Sequence, residues 1–259
     1  MPERTQYAPG TPSWIDLSTT DRAAAKEFYS ALFGWTYEDQ QAGPDATYTM
    51  ASLKGATVAG MADLMSDQVA QGVPPHWQSY VTVADADATA TAATSAGGTV
   101  LAGPFDVVDA GRMAVLQDPT GAVVAIWQPV NHIGAGLVNE HGTLTWNELM
   151  SPDVEKAAGF YKAVFGWDAE TNTAGGMTYT EFKIGGQSIA GAMAPPMEGI
   201  PPVWGIYFAV DDTDATVAEA TRRGATLING PVDIPVGRFA VLMDPQGAVF
   251  SVIKTAQPM

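Results

Sequence analysis

The stretch FYSALFGW at positions 28–35 returns as FYKAVFGW at positions 160–167, and this repetition decides the fold of the chain. A second stretch, GRMAVLQDPTGAVVAIW at 111–127, returns as GRFAVLMDPQGAVFSVI at 237–253. Six of eight positions are identical in the first pair and ten of seventeen in the second, at offsets of 132 and 126 residues. The two halves of the chain are therefore homologous, and this repeat constrains the fold before any other feature does.

Each half is itself built from two similar segments. An Asp opens a short, often Ala-rich stretch and a Gly closes it thirteen residues later, at Asp21/Gly34, Asp85/Gly98, Asp153/Gly166 and Asp211/Gly224. The Asp suits a helix N-cap and the Gly suits the left-handed residue that follows a helix. An alternating apolar stretch precedes each helix, and three runs rich in Val, Thr, Tyr and Ile follow it, as in strands. The sequence thus predicts an α+β protein made of four βαβββ units.

The length of 259 residues exceeds that of an average single domain. We expect a first domain over residues 1–130, a connector over 131–141 and a second domain over 142–259. The segment around the connector, QPVNHIGAGLVNEHG (128–142), contains three Gly and few large apolar residues, as expected of a linker between packed domains.

Composition excludes several classes of function. With 28 acidic and 12 basic residues, the chain has a formal charge of −16 and should repel nucleic acid. It has no apolar run of the roughly 20 residues needed to span a membrane, and its first residues lack the layout of a signal peptide. We therefore expect a cytoplasmic protein with a small-molecule ligand and without nucleic-acid or membrane partners, as a monomer or weak homodimer. The absence of Cys rules out thiolate chemistry.

The FYxxxFGW motif at the first helix and the DPxGA motif before the last strand of each half resemble the vicinal-oxygen-chelate superfamily. This superfamily includes glyoxalase I, extradiol dioxygenases and bleomycin- and fosfomycin-resistance proteins. The chain is most similar to the tandem, actinobacterial glyoxalase-like group, whose members are labelled glyoxalase/dioxygenase or hydroxylase on fold similarity alone. The resemblance covers nearly the whole chain. It implies two glyoxalase/bleomycin-resistance-like domains, each with a mixed sheet curled into a cup.

Metal-using members of the superfamily place His, Gln or Glu ligands at four positions of each cup. The resemblance maps these positions onto Trp14, Ser79, Ala125 and Gly60 or Met61 in the first half, and onto Trp146, Gly205 or Ile206, Ser251 and Gly191 or Ala192 in the second. These residue types are poor ligands for a divalent ion. We therefore expect no metal site of the family type and no cofactor. The alternative is a metal held elsewhere, by Asp16 or Glu148 with a His of the connector.

Strand alternation places Asp16 on the same face as Trp14, and Glu148 on the same face as Trp146. An indole beside a carboxylate suits a flat ligand that carries a hydrogen-bond donor or a positive charge. The alternative is an aromatic core residue next to a carboxylate at the rim. If the protein is an enzyme, Glu148 or Asp16 is the candidate general base, because burial beside an indole raises a carboxyl pKa.

Other residues are weaker candidates for ligand binding. Trp77 and Trp204 begin equivalent strands, Trp127 shares a strand face with Ala125, and the two repeated GR dipeptides place an Arg before the DP turn in each half. The predicted ligand-binding set is Trp14, Asp16, Trp77, Ser79, Arg112, Trp127, Trp146, Glu148, Trp204 and Arg238. For the additional Trp the alternative is packing, and for the Arg it is pairing with Asp. The connector residues His132, Asn139, Glu140 and His141 either reach a cup mouth or form a polar linker.

Three functions fit these observations. The first is a metal-free small-molecule-binding protein of the bleomycin-resistance type. The second is an enzyme, either a lyase or dioxygenase with relocated metal ligands or a metal-independent catalyst that uses Glu148 or Asp16. The third is an interaction protein whose cups are filled by its own Trp and Met side chains, of which the chain has 7 and 11.

Overall fold

The computed structural model describes residues 3–43, 46–174 and 176–257. The first half contains β1 (Pro12–Thr19), α1 (Arg22–Phe33), β2 (Thr36–Gln41), β3 (Thr47–Leu53), β4 (Ala56–Asp63), α2 (Ser66–Ala70), β5 (His76–Thr82), α3 (Ala86–Ser95), β6 (Thr99–Val107), β7 (Gly111–Gln117) and β8 (Val123–Pro129). The second half contains β9 (Leu144–Met150), α4 (Val154–Phe165), β10 (Asp168–Ala174), β11 (Met177–Ile184), β12 (Gln187–Met193), β13 (Val203–Ala209), α5 (Thr213–Arg222), β14 (Thr226–Ile234), β15 (Gly237–Met243) and β16 (Val249–Thr255).

Each half forms one eight-stranded mixed sheet. The strand orders are β2-β3-β4-β1-β5-β8-β7-β6 and β10-β11-β12-β9-β13-β16-β15-β14, so the second sheet repeats the first strand by strand. In both sheets the first strands of the two units pair antiparallel at the centre, and each first strand pairs parallel with the last strand of its own unit. The prediction of four βαβββ units is confirmed. The short helix α2 was not expected from the sequence.

The predicted helix N-caps are present, with one shift. The side chains of Asp21, Asp85 and Asp153 each accept a hydrogen bond from a backbone N–H three residues on. In α5 the cap is Asp212, not Asp211, and its side chain accepts from the N–H of Ala215. The predicted cap is wrong by one position because the sequence does not distinguish Asp211 from Asp212, which are equally suitable cap residues.

Three of the four predicted helices end as expected, because Gly224 after α5 also has a positive φ, of 95°. Gly34 and Gly166 adopt left-handed backbone with φ of 73° and 74° after α1 and α4. After α3 the left-handed residue is Gly97, with φ of +87°, and not Gly98. A Cβ on Gly98 would lie 2.6 Å from the ring of Phe160, so this Gly permits close packing of the two halves instead.

The main hydrophobic cores lie between the halves. One cluster combines α1 and the strands of the first unit with β13, α5, β15 and β16, and the other combines the second and third units. The halves do not bury separate cores, because the helices of one half pack on elements of the other. Among the described residues, no helix has the length and apolar character needed to cross a bilayer.

Candidate functional site

The first sheet carries a hydrogen-bonded network around one buried carboxylate. Asp16 on β1 is 8% exposed, and its Oδ2 accepts hydrogen bonds from the hydroxyls of Tyr48, at 3.1 Å, and Tyr80, at 2.8 Å. The Tyr48 hydroxyl in turn accepts from the indole Nε1 of Trp14 at 2.9 Å. The predicted pairing of Trp14 with Asp16 is thus a four-residue network with two tyrosines.

The second sheet repeats the network with Glu in place of Asp. Glu148 is 7% exposed, and its Oε2 and Oε1 accept from the hydroxyls of Tyr179 and Tyr207, both at 2.8 Å. The Tyr179 hydroxyl accepts from Nε1 of Trp146 at 2.9 Å. The same four positions therefore carry the same arrangement in both halves.

Sheet register explains how residues on three strands meet. Asp16 on β1 is paired with Gly60 on β4, and Trp14 is paired with Tyr80 on β5. A Cβ added to Gly60 would lie 1.8 Å from the Tyr48 hydroxyl, so only Gly lets the tyrosine of β3 reach across β4 to the carboxylate. Gly191 has the same role in the second half, where a Cβ would lie 1.9 Å from the Tyr179 hydroxyl. One of the four positions mapped onto metal ligands in each half, Gly60 or Gly191, is thus used to admit a tyrosine.

Burial raises the carboxyl pKa in both networks. The pKa of Asp16 and that of Glu148 are raised by desolvation, and the hydrogen bonds donated by the tyrosines oppose this rise. The same burial, together with the nearby carboxylate, raises the pKa values of the four tyrosines. The tyrosines consequently remain protonated donors to the carboxyl group of each network.

The residues present do not fit a metal site of the family type. Among the described residues, no three His, Cys, Asp or Glu side chains are grouped so that they could hold a metal ion. Each network offers one carboxylate, and its neighbours are phenol donors and an indole, which has no free lone pair for a metal.

The sheet face that carries Trp14 and Asp16, called the first cup below as the face of Trp146 and Glu148 is called the second, is covered by the connector and the N-terminal segment. Trp14, Tyr80, Ala125, Trp127 and Ala135 form one buried cluster, so Ala135 of the connector packs against the cup residues. The ring of His132 meets Trp14 edge-on at a centroid distance of 4.5 Å and Trp127 at 5.8 Å. Burial lowers the pKa of His132 to about 4, so this ring is neutral at pH 7.

The second cup differs in shape and polarity. Ile253 stands where the first cup has Trp127, and Ser251 stands where it has Ala125. Trp146 and Tyr207 are half-buried, whereas Trp14 and Tyr80 are buried. Glu181 lies on the same face of β11 as Tyr179, where the first cup has Met50, and it accepts a hydrogen bond from Ser188.

Trp77 and Trp204 do not line the cups, contrary to our prediction. They are 5% and 4% exposed, and both lie in the cores between the halves. Their indole Nε1 groups donate to the hydroxyls of Tyr29 and Tyr161 at 3.0 and 2.8 Å. Gln78 and Gly205 are the residues paired with Asp16 and Glu148 on the neighbouring strand. Trp77 and Trp204 each lie one residue earlier in the chain, so strand alternation turns their side chains to the opposite face of the sheet.

Ser79 is also misplaced by the sequence mapping. Its hydroxyl donates to Oδ1 of Asn147 at 2.7 Å on the core side of the sheets, and the cup position is taken by Tyr80. In the second half the metal-ligand position was mapped to Gly205 or Ile206, and Ile206, like Ser79, lies on the core side of its sheet. The cup side of that strand is formed by Gly205 and Tyr207.

Arg112 and Arg238 pair with Asp side chains, which is the alternative considered for them. Arg112 bonds Asp87 and Asp106 at 2.7 and 2.8 Å. Arg238 bonds Asp214 and Asp233 at 2.6 and 3.1 Å. Both guanidinium groups tie the start of a helix to a sheet edge, so the prediction that they bind ligand is not supported by their placement.

The rest of the connector makes structural contacts. Glu140 pairs with Lys54 at 2.6 Å, and Nδ1 of His141 accepts from the N–H of Asp211 at 3.1 Å. Asn139 adopts a positive φ of 62° and its N–H donates to Leu144 O. Of the four connector residues considered, His132 is the one in contact with cup residues.

A surface groove of about 380 Å³ lies away from both cups, between α4 and strands β10 and β11. It is lined by Val154, Glu155, Ala158, Ala169, Thr171, Thr178 and Thr180. The equivalent surface of the first half is filled by Arg22 and Lys26, which pair with Asp39 at 3.6 and 2.5 Å. The groove therefore results from the smaller residues of the second copy.

A family model described as the Glyoxalase/Bleomycin resistance protein/Dioxygenase superfamily matches residues 11–126 and 135–252. The chain belongs to this superfamily, as the resemblance of its motifs predicted. A Mycobacterium tuberculosis protein named "Putative glyoxylase CFP32" is 50% identical over 259 residues, which cover 99% of each chain. The "Anthracycline biosynthesis protein DnrV" of Streptomyces peucetius is 38% identical over 264 residues, covering 96% of this chain and 95% of that protein.

Solved structures share the fold at low sequence identity. A Mn(II)-bound glyoxalase from Novosphingobium aromaticivorans aligns with a TM-score of 0.65 at 16% identity, covering 96% of this chain and 83% of that one. The 2,3-dioxygenase LapB from Pseudomonas sp. KL28 aligns with a TM-score of 0.64 at 12% identity, covering 95% and 92%. These similarities establish the tandem fold.

Proposed function

We propose that the protein binds a flat small molecule carrying a cationic or hydrogen-bond-donating group, in the cupped face of a sheet and without a metal ion. The observation that carries this proposal is the carboxylate held by two tyrosine hydroxyls beside an indole, present at the same place in both halves. Binding of this kind corresponds to the bleomycin-resistance type within the superfamily, rather than to metal-dependent turnover.

The geometry favours an acceptor site. Each tyrosine uses its hydroxyl proton toward the carboxylate, and a carboxylate has about four lone-pair sites, so acceptor capacity remains for a ligand donor. The half-buried indole of Trp146 provides an aromatic surface next to that acceptor. A flat cation would satisfy both groups, because it stacks on an aromatic face and pairs with the negative charge.

The relatives suggest the kind of compound to test. Two proteins 38% identical to this chain are named for anthracycline biosynthesis, so an anthracycline is one reasonable probe of a flat, ring-containing ligand class. A chemically simpler pair is 9-aminoacridine, a flat cation at pH 8, and acridine, which is neutral at that pH and has nearly the same shape.

The test is fluorescence titration of both acridines into wild type and Glu148→Gln. We expect 9-aminoacridine to bind wild type more tightly than acridine, and Glu148→Gln to weaken the cation by about tenfold or more, which is ~1.4 kcal/mol, while leaving acridine nearly unchanged. Arg238→Lys is the control, since Arg238 pairs with Asp214 and Asp233 outside the cup. Equal binding of both probes, insensitive to Glu148→Gln, would disprove recognition by the carboxylate.

Cation binding should also depend on pH. Because the Glu148 pKa is raised by burial, the carboxyl group becomes neutral at a higher pH than an exposed Glu does. Affinity for 9-aminoacridine should therefore fall as the pH is lowered from 8 toward 5, and Glu148→Gln should abolish this fall. A pH-independent affinity in wild type would contradict the assignment of Glu148 as the contact.

A second candidate is metal-independent catalysis with Glu148 as general base. The raised pKa of a carboxyl group in a half-open cup favours it, because a base with a pKa closer to neutrality accepts and returns protons efficiently. Proton exchange at a carbon acid offers a direct assay. The α-proton of an aryl ketone exchanges with deuterium oxide, and NMR follows this exchange in protein from which metal has been removed with a chelator. If this candidate holds, wild type should catalyse the exchange and Glu148→Gln should not.

A further inference from the structure

The connector enters the first cup as a strand-like segment. The N–H of Ala135 donates to Ser13 O at 2.8 Å, and the N–H of Gly136 donates to Thr57 O at 2.7 Å. Ala135 is fully buried among Trp14, Tyr80, Ala125 and Trp127. The segment is thus held by backbone hydrogen bonds to β1 and β4, next to the network residues.

Two further contacts hold this segment in place. The Tyr7 hydroxyl donates to Ala135 O at 2.6 Å, and the N–H of Arg4 donates to Gly136 O at 2.8 Å, so the N-terminal segment covers the connector from outside. Gly134 has φ of +110°, and a Cβ there would lie 2.5 Å from Ser13 O. A Gly is therefore required for the connector to approach β1 this closely.

His132 completes the cover on the aromatic side. Its ring packs edge-on against Trp14, and its carbonyl accepts from Nε1 of Trp127 at 2.7 Å. Trp127 is consequently satisfied by the connector backbone and is not free to recognise a ligand. The predicted ligand contacts Trp14 and Trp127 both meet the chain's own residues.

The second cup differs from the first in the residues that hold the connector and in the exposure of its aromatic side chains. Ile253 replaces the Trp that bonds the connector, and Trp146 and Tyr207 keep part of their surface exposed. Gly205 lies next to Glu148, where the first cup has Gln78 next to Asp16. A Cβ on Gly205 would make ordinary contacts, with Glu148 O at 3.6 Å and the Met150 side chain at 3.8 Å, so the position tolerates a small side chain but carries none, whereas the first cup has the long side chain of Gln78 there.

We infer that the connector is a built-in occupant of the first cup, and that the second cup, over Gly205 and Glu148, is the single ligand site of the chain. The second part rests on the proposed function, whereas the first part does not. The duplicated sheet has in this way produced one structural cup and one binding cup.

The binding part is tested by titration of 9-aminoacridine with native mass spectrometry for stoichiometry. We expect one molecule per chain. Gly205→Ala should weaken binding about two- to fivefold and Gly205→Gln, which copies the first cup, by about tenfold or more, the scale expected for filling a pocket. The matched control Gln78→Gly should leave affinity unchanged. Two molecules per chain, or sensitivity to Gln78→Gly instead of Gly205→Gln, would overturn the inference.

The occupant part is tested without ligand by amide hydrogen exchange of the wild-type protein. The Ala135 and Gly136 amides should exchange as slowly as those of β1, because they open only when the sheet does. Exchange much faster than that of β1 would show that the connector leaves the cup, and would overturn this part. If 9-aminoacridine fails to bind while these amides are protected, the proposed function falls and the internal occupant stands.

Discussion

The carboxylate networks show how one small residue decides what a site contains. Gly60 and Gly191 each lie beside the carboxylate on the neighbouring strand, and each leaves space that the hydroxyl of Tyr48 or Tyr179 fills. A side chain at either position would displace the tyrosine and leave the carboxylate with one donor fewer.

Gly191→Ala should therefore destabilise the protein, whereas Gly205→Ala should not. Both residues flank Glu148 on adjacent strands, but a Cβ at 191 lies 1.9 Å from the Tyr179 hydroxyl and one at 205 has ordinary contacts. Overpacking of this kind costs about 1–3 kcal/mol. Urea denaturation of the two variants measures the difference, and equal stabilities would show that the tyrosine moves aside without cost.

Asp16→Asn tests the pH linkage of the first network. Because the folded-state pKa of Asp16 is raised, its stabilising contribution is full below the unfolded pKa of about 3.9 and is lost as pH rises through the folded value. Asn keeps an oxygen acceptor for both tyrosines and has no charge to bury. We expect Asp16→Asn to melt at a higher temperature than wild type at pH 8, with a difference that shrinks toward pH 4.

Thermal denaturation of both proteins from pH 4 to pH 8 provides this measurement. The variant is compared with wild type at each pH so that the effect of the large net negative charge cancels. A difference that is constant over this range, or that grows toward acid pH, would contradict the raised pKa.

The sequence predicted two of the four residues in each network, the Trp and the carboxylate, but not the two tyrosines. Trp14, Asp16, Trp146 and Glu148 follow from strand alternation, because they lie on one strand. The tyrosines were missed because they come from other strands, and register between strands is not written in local periodicity. A usable signal existed: Tyr48 repeats at Tyr179 and Tyr80 at Tyr207, with offsets of 131 and 127 residues, close to those of the quoted motifs.

At the scale of single elements, the DPxG motif is a turn that also joins the halves. Oδ1 of Asp118 accepts from the N–H groups of Thr120, Gly121 and Ala122 at 2.7–3.1 Å, and Oδ2 accepts from the Tyr161 hydroxyl at 2.8 Å. One side chain thus closes the β7–β8 turn and fixes helix α4 of the other half. The repeated FY and DPxG motifs are in contact with each other across the two copies.

Asp118→Ala should cost about 3 kcal/mol or more, since it leaves several buried donors without an acceptor. Asp85→Ala, which removes an exposed N-cap with one bond to the Ala88 N–H, should cost about 1 kcal/mol. Chemical denaturation of both variants compares a turn that joins the halves with a simple cap. Similar losses for the two would mean that the contact with Tyr161 contributes little.

Helices and strands were predictable because capping residues and apolar alternation are local features. The errors occurred where the sequence offers two adjacent equivalent residues, Asp211 with Asp212 and Gly97 with Gly98. At the glycine pair packing decides, because a side chain at Gly98 would clash with Phe160 of the other half, which no local pattern reports. Sequence alone placed these boundaries to within one residue and could not do better.

At the scale of the whole molecule, the two sheets share their cores. Phe33 on α1 packs on Phe208 of β13 at a ring distance of 4.8 Å, and Tyr29 reaches Asp244 at 2.9 Å. The sequence predicted two tandem halves but could not show which helix packs on which sheet, because both copies present the same apolar face. The consequence is that neither half has a complete core by itself.

The whole chain should therefore unfold in one cooperative transition. Calorimetry should give a single peak whose calorimetric enthalpy equals the van't Hoff enthalpy, near 0.7 kcal/mol per residue. Phe208→Ala, which opens the shared core, should lower the melting temperature of the entire peak, with a cost of about 3–5 kcal/mol. A chain cut to residues 1–130 should fail to fold, because α1 would expose the face that Phe208 and Phe250 cover. Two resolved calorimetric transitions, or a stably folded 1–130 fragment, would instead show that each half is held together by its own sheet and connector.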